Sequence, residues 1–217
     1  MAFAHITEPL GGALINLDRA AAKRAGRPVI ETIAEVGGWE APAAGSERYR
    51  MLDAALAARG SAYRSEGGRM VFGAWAMVRA AAVFATERDL IEVQQTGWGL
   101  TANEARLALT QWGLNEIRPR HAEPGDVLLF DMPEIDLGGG RSQGGGIHAA
   151  ILSAPGGELS WAMLPRRKIA EPRIIHVQPA RACCESWAGP FWMPKLVGAW
   201  SYDTGNKARP FRLEAAA

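Results

Sequence analysis

Two histidines, His148 and His176, lie in apolar segments with the character of β-strands. Imidazole suits proton transfer near neutral pH, and it is also a common zinc ligand, so the two could form half of a metal site. No third ligand stands at a recognisable spacing, which favours a catalytic pair. His5 and His121 lie in predicted loops and are expected to be exposed to solvent. The sequence therefore predicts no metal and no cofactor.

A nucleophile for this pair is hard to find in the sequence. The only two cysteines, Cys183 and Cys184, are adjacent, which excludes a disulfide framework and a four-cysteine zinc site. In a predicted strand one of them points into the packing of the sheet and the other points away. Neither gains a helix N-terminus, so both are expected to be structural. Ser61 and Ser65 lack the Gly-x-Ser-x-Gly elbow of a displaced serine nucleophile.

Helix signals dominate the first half of the chain. Amphipathic spacing with start and stop residues predicts a helix between Ser46 and Gly60 and another between Gly73 and Phe84. A third begins at the capping box Thr101 to Glu104 and ends at Gly113. A further helical segment lies near Asp18 to Ala25. At least three helices are thus expected before the strands.

Short apolar runs between glycine and proline residues dominate the second half. They predict strands at Asp126 to Phe130, Ile147 to Ser153, Leu159 to Met163, Ile174 to Val177, Ala182 to Ser186 and Leu196 to Tyr202. Helices followed by strands indicate an α+β fold, with helices packed on an antiparallel sheet. The run Gly138 to Gly146 matches neither a Walker loop nor a dinucleotide fingerprint. It is expected to be a flexible hairpin loop.

Composition limits the classes of partner. The chain has 217 residues, of which 48% are hydrophobic, and this suits one large domain with an added arm. We expect an N-terminal arm at residues 1–45, the main domain at 46–205 and a C-terminal tail at 206–217. Because 24 basic residues balance 23 acidic ones, nucleic acid is not an expected partner. No apolar stretch approaches a membrane span or a signal peptide, so synthesis in the cytoplasm is expected.

Four segments together resemble the NlpC-type family of papain-like cell-wall peptidases. They are the turn and strand Glu123 to Phe130, the histidine strand His148 to Ser153, the segment Ile174 to His176, and the ending Ala180 to Trp187 with Gly189 to Trp192. The ending looks like that of the cell-wall peptidases of phage tails and gene transfer agents. The resemblance covers roughly residues 50 to 203, and it implies a papain-like fold.

The resemblance also implies roles for individual residues. In such enzymes a cysteine thiolate at a helix N-terminus attacks the peptide, a histidine takes its proton, and a third polar residue orients that histidine. His148 then corresponds to the base and His176 to the orienting residue. The segment Gly73 to Arg79 aligns with the cysteine segment, which places Ala74 at the position of the nucleophile and Gly73 at that of an aspartate. Papain-type catalysis should be absent, as in a natural pseudo-enzyme.

Three functions remain open at this stage. The favoured one is a catalytically inactive structural component of a phage or phage-like tail tip, located in the virion tail and bound to tail hub or baseplate proteins. The second is an active peptidoglycan endopeptidase or amidase that opens the cell wall for DNA delivery. The third is a non-cutting module that binds the peptidoglycan stem peptide. The loop Gly189 to Pro194 and the basic run Pro165 to Lys168 are possible partner contacts.

Overall fold

The structure is a computed structural model that describes residues 26, 28–62, 64–66, 69–88, 100–138, 141–155, 172–177 and 182–203. It divides into two units, residues 1–41 and 42–217. In the first unit, helix α1 spans Val29–Gly37. Gly38 ends it in the left-handed conformation, and its N–H donates to the Glu35 carbonyl.

Several predicted features lie outside the described residues. These are His5, the helical segment near Asp18 to Ala25, the strand Leu159 to Met163, the basic run Pro165 to Lys168 and the C-terminal tail 206–217. The predicted domain boundaries at residues 45 and 205 stay predictions.

The second unit contains the three helices that the sequence predicts. They are α2 at Glu47–Ala58, α3 at Ala74–Thr86 and α4 at Ala102–Gln111. The Ser46 side chain caps α2 by accepting from the Tyr49 N–H. At α4 both bonds of the capping box between Thr101 and Glu104 form, as predicted. In the described part of the chain, no helix has the length and apolar character needed to cross a membrane.

A six-stranded antiparallel sheet follows the helices. Its strands are β3 at Asn115–Ile117, β4 at Val127–Gly138, β5 at Arg141–Ala154, β6 at Arg173–Val177, β7 at Cys183–Trp187 and β8 at Leu196–Ser201. Their spatial order is β3-β8-β4-β5-β6-β7. A separate hairpin joins β1 at Arg64–Glu66 to β2 at Arg69–Phe72. The α+β architecture is therefore confirmed, although the short strands β1, β2 and β3 were not predicted because three or four residues give no clear alternation.

The two faces of the sheet have different coverings. On one face, Cys183 of β7 contacts Met77 of α3, so this face packs on the helices. Residues directly opposite on antiparallel strands share a face, and the opposite face is traced by the pairs Phe130–His148, Leu152–Ile174 and His176–Cys184. A buried apolar cluster that includes Phe130 and Leu152 lies on this second face, with Trp192 packed against it. Strand alternation therefore puts both histidines on the second face.

The glycine-rich segment is not the loop that the sequence predicts. Gly138 is the last residue of β4, and β5 already begins at Arg141. The two strands stay in register from Val127–Ile151 out to Gly138–Arg141, with one irregularity near the tip. The prediction was wrong because backbone pairing across the hairpin needs no side chains, so glycine does not prevent it even though it weakens a strand.

The Pro-Gly-Asp turn before β4 has a structural role. Asp126 is buried, and one of its carboxylate oxygens accepts the Glu123 N–H at 2.8 Å. Arg48 of α2 forms an ion pair with Glu123 and lies 4.0 Å from Asp126. Burial is the main cause that raises the pKa of Asp126 to about 7. Gly125 has a φ of +96° and lies against the Arg48 backbone, so a side chain has no space there. This turn therefore fixes the start of β4 against α2.

Candidate functional site

The two histidines meet on the second face of the sheet. Nε2 of His148 lies 3.1 Å from Nδ1 of His176, and the rings are edge to face with centroids 5.2 Å apart. His148 stands on β5 opposite Phe130, whereas His176 stands on β6 opposite Cys184. Since β5 and β6 are hydrogen-bonded neighbours, the backbone of the sheet holds both side chains. The pair is therefore built into regular secondary structure.

Trp192 packs against both imidazoles. Its ring centroid is 5.3 Å from that of His148 and 4.8 Å from that of His176. Trp192 comes from the proline-bracketed loop before β8. Its backbone N–H donates to the Gly189 carbonyl at 2.9 Å. Its neighbour Phe191 is 52% exposed. The loop therefore supplies both a local core residue and an exposed aromatic side chain.

Burial controls the charge of the histidine pair. It lowers the pKa of His148 to about 4, because a protonated ring would lose the stabilisation that water gives it. It also lowers the pKa of His176 well below 6.5, and the nearby His148 adds to this effect. Both rings are therefore neutral at neutral pH. In a neutral pair, one ring nitrogen donates and the other accepts across the 3.1 Å contact.

Ala74 is the first residue of α3, next to the histidine strand. Gly73 precedes it in an extended conformation and provides no side-chain cap. The indole N–H of Trp75 donates to the Ile147 carbonyl at 3.1 Å. Ile147 directly precedes His148, so this bond holds the first turn of α3 against the strand that carries the histidine. The position that the resemblance assigns to the nucleophile is thus a helix N-terminus, and it carries a buried methyl group.

The two cysteines differ in their surroundings. Cys183 is buried, with its sulfur 3.5 Å from that of Met77. Burial is the main cause that raises its thiol pKa to about 12, so it is structural as expected. Cys184 is only half-buried, and its sulfur lies 3.7 Å from Nε2 of His176. The two cysteine side chains therefore lie on opposite faces of the sheet, as strand alternation predicts, and Cys184 lies beside the histidine pair instead of having the purely structural position expected for it.

Ser186 is a site residue that the sequence reasoning missed. Its hydroxyl oxygen lies 2.9 Å from Nε2 of His176 and 3.8 Å from the Cys184 sulfur. Cys184 and Ser186 are two residues apart on one strand, so they share a face. That alternation is visible in the sequence. The register that sets β7 beside His176 is not, and this is why the contact was not predicted.

The remaining candidate residues lie elsewhere. The carbonyl of Ser61 accepts the Cys183 N–H at 2.8 Å, and Ser65 belongs to β1. His121 lies in a short 3-10 helix and is half-buried beside Arg120, whose Nε is 3.3 Å from its ring. Within the residues that the structure describes, no three histidine, cysteine, aspartate or glutamate side chains are grouped so that they could hold a metal ion.

Comparison with known proteins gives a structural likeness. The chain is similar to a Staphylococcus aureus subsp. aureus Mu50 protein described as similar to a lipoprotein of the NLP/P60 family, with 16% identity and a TM-score of 0.41. The likeness covers 71% of this chain, and the chain spans only 40% of that structure. No family model matches the sequence, and no curated protein matches it. The assignment of site residues therefore rests on the sequence motifs and on the geometry above.

Proposed function

We propose that this chain is an NlpC-like pseudo-peptidase, catalytically inactive toward the cell wall, that serves as a structural component at the tip of a phage or phage-like tail. The observation that carries the proposal is Ala74 at the first position of α3. A cysteine there would gain the unpaired N–H groups and the dipole of the helix N-terminus, which lower a thiol pKa. A methyl group cannot attack a carbonyl, so papain-type cleavage has no nucleophile at this position.

The β4–β5 hairpin supports a role in assembly. Strand β8 pairs with β4 as far as Phe130, and β6 pairs with β5 from Ile151 onward. Among the described residues, the segment from Met132 to Gly146 pairs only within the hairpin, as a ribbon that extends past the ends of β8 and β6. Strand edges of this kind are templates for pairing with another chain. The expected partners are tail hub or baseplate proteins of the same particle.

The first experiment tests the missing nucleophile. Muropeptide release from purified sacculi is compared for the native protein and for a variant with Ala74→Cys and Gly73→Asp. We expect no release by the native protein, even at stoichiometric amounts. Release by the native protein would contradict the proposal and favour the active endopeptidase or amidase. Release by the variant alone would show that the missing cysteine is the reason why the native protein does not cut.

The second experiment tests the partner. The purified chain is used to capture recombinant tail hub and baseplate proteins of the same particle. In a matched variant, residues 135–143 are replaced by Asn-Gly, a two-residue turn that closes a hairpin. The control is Leu107→Ala, at an exposed position on α4. We expect capture by the native chain and the control but not by the shortened hairpin, and capture by none of them would contradict the tail role.

The third experiment separates assembly from wall binding. The protein is sedimented with purified sacculi at increasing peptidoglycan concentration. A structural component should stay in the supernatant. Saturable co-sedimentation without muropeptide release would instead favour the non-cutting module that binds the stem peptide.

A further inference from the structure

Three side chains form a continuous hydrogen-bonded row across the second face of the sheet. The Ser186 hydroxyl lies 2.9 Å from Nε2 of His176, and Nδ1 of His176 lies 3.1 Å from Nε2 of His148. They stand on β7, β6 and β5, which are successive neighbours in the sheet. The row has the geometry of a catalytic triad, in which the hydroxyl is the nucleophile, the first imidazole is its base and the second imidazole orients that base.

We propose that Ser186 is the nucleophile of an acyl-transfer site, with His176 as its base and His148 as a positioning residue. The substrates are small carboxylic esters with good leaving groups. This inference goes beyond the structural role in the tail, because it uses a different nucleophile on a different element. The two histidines then act on Ser186, which the chain contains, and not on the cysteine that is absent from position 74.

The proton positions follow from the two distances. For Nε2 of His176 to accept the Ser186 proton, the ring must carry its own proton on Nδ1. That proton is then donated to Nε2 of His148, which accepts it when the proton of the neutral His148 ring is on Nδ1. In this arrangement His148 holds His176 in the tautomer in which Nε2 is a base. Trp192 covers both rings and restricts their rotation.

The chemical step is an ordinary two-stage ester hydrolysis. The Ser186 oxygen forms a bond to the ester carbonyl carbon while its proton moves to Nε2 of His176. The bond from that carbon to the leaving oxygen breaks, and the leaving group departs as an alcohol with the proton from His176. Water then attacks the carbonyl carbon of the acyl-serine and gives a proton to His176. The bond from that carbon to the Ser186 oxygen breaks, and this oxygen takes the proton back from His176. The products are a carboxylic acid and regenerated Ser186.

The environment of the base sets the substrate class. Burial lowers the pKa of His176, so the ring is neutral and ready to accept a proton, but it is a weak base. A weak base assists attack on carbonyls that already have a good leaving group, and it assists amide cleavage much less. Ser186 is half-buried, whereas His176 is only 1% exposed. Aryl esters and fluorophosphonates therefore suit this site better than peptides.

Cys184 provides a competing nucleophile and hence a control. Its sulfur lies 3.7 Å from the same nitrogen of His176, compared with 2.9 Å for the Ser186 oxygen. The two side chains share a strand, a face and a base. A chemical label that reacts at one and not at the other therefore reports which of them is activated.

The test is site-mapped labelling of the folded native protein with a fluorophosphonate probe. Peptide mass spectrometry is expected to place the label on Ser186, and labelling should stop when the protein is unfolded in urea. A label on Cys184 or on any other residue, an absence of label, or equal labelling in urea would each overturn the proposal. This experiment needs no variant, so a failure of a mutant to fold cannot leave it undecided.

Variants then assign the roles. We expect Ser186→Ala to lose the label, Cys184→Ala to keep it, and His176→Asn to slow labelling by about 100-fold or more, the usual contribution of a general base. His148→Gln should slow it less while retaining the native melting temperature. Above about pH 7 the native rate should not depend on pH, because the base is already neutral. The result is independent of the sacculus assays, since a labelled Ser186 with no muropeptide release supports both proposals.

Discussion

The buried histidine pair should make the protein lose stability in mild acid. The folded state holds His148 with a pKa of about 4, whereas the ordinary value is 6.5. Between these two values the unfolded chain binds a proton that the folded protein does not bind, so the free energy of unfolding falls as the pH falls. From about pH 7.5 to about pH 5, the calculated loss for this one group is roughly 2 kcal/mol. The half-buried ring keeps some water, so the measured loss should be somewhat smaller.

The perturbation is His148→Gln, which replaces the titrating ring with a neutral amide. Urea unfolding of the native protein and the variant is measured across this pH range, and the difference between their unfolding free energies is compared. The native protein should lose somewhat less than about 2 kcal/mol relative to the variant on going to about pH 5. Asp126, whose raised pKa of about 7 acts in the opposite direction, is present in both proteins and cancels. His176, whose pKa is lowered mainly by its own burial, is likewise present in both proteins.

His121→Gln is the matched control, because it makes the same replacement of a histidine ring by an amide in a 3-10 helix and leaves both histidines of the pair in place. This variant keeps His148, so it should retain the acid-dependent loss of stability that the native protein shows. If the curves of the native protein and His148→Gln stay parallel between about pH 7.5 and pH 5, the reasoning about burial is refuted. A gain in native stability relative to the variant in acid would refute it equally.

Three further predictions concern the elements around the site. Gly125→Ala should lower the free energy of unfolding by about 2 kcal/mol or more, since a side chain at positive φ would meet the Arg48 backbone; chemical denaturation measures this. Thr101→Ala should cost about 1 kcal/mol by removing the cap of α4, whereas Thr101→Ser should keep most of it; thermal unfolding of the two variants checks this. A thiol reagent should react with Cys184 in the folded protein and with Cys183 only after unfolding, because Cys183 is buried and its pKa is raised to about 12. Equal reaction rates of the two thiols in the native protein would contradict this.

Much of the fold was predictable because its signals are local. A helix start depends on a side chain reaching an N–H three residues away, as Ser46 and Thr101 do, and this spacing is visible in the sequence. Apolar runs bounded by glycine and proline likewise indicated the strands. The glycine run of β4 and β5 was misjudged, because backbone pairing with a partner strand outweighed the weak strand preference of glycine. Strand preference depends on neighbours that the sequence does not reveal.

The sequence by itself determined the α+β class, the residue types available for chemistry and the alanine that begins α3. Only the tertiary structure decided which of these residues meet. His148 and His176 are 28 residues apart, and their contact depends on the register between β5 and β6. Ser186 joins them because the register between β6 and β7 sets it diagonally beside His176. Side chains alternate faces with a period of two, so a shift of one residue would send the hydroxyl to the opposite face. That register is fixed by long-range packing. The three side chains therefore form a site only after the strands have paired in the folded sheet.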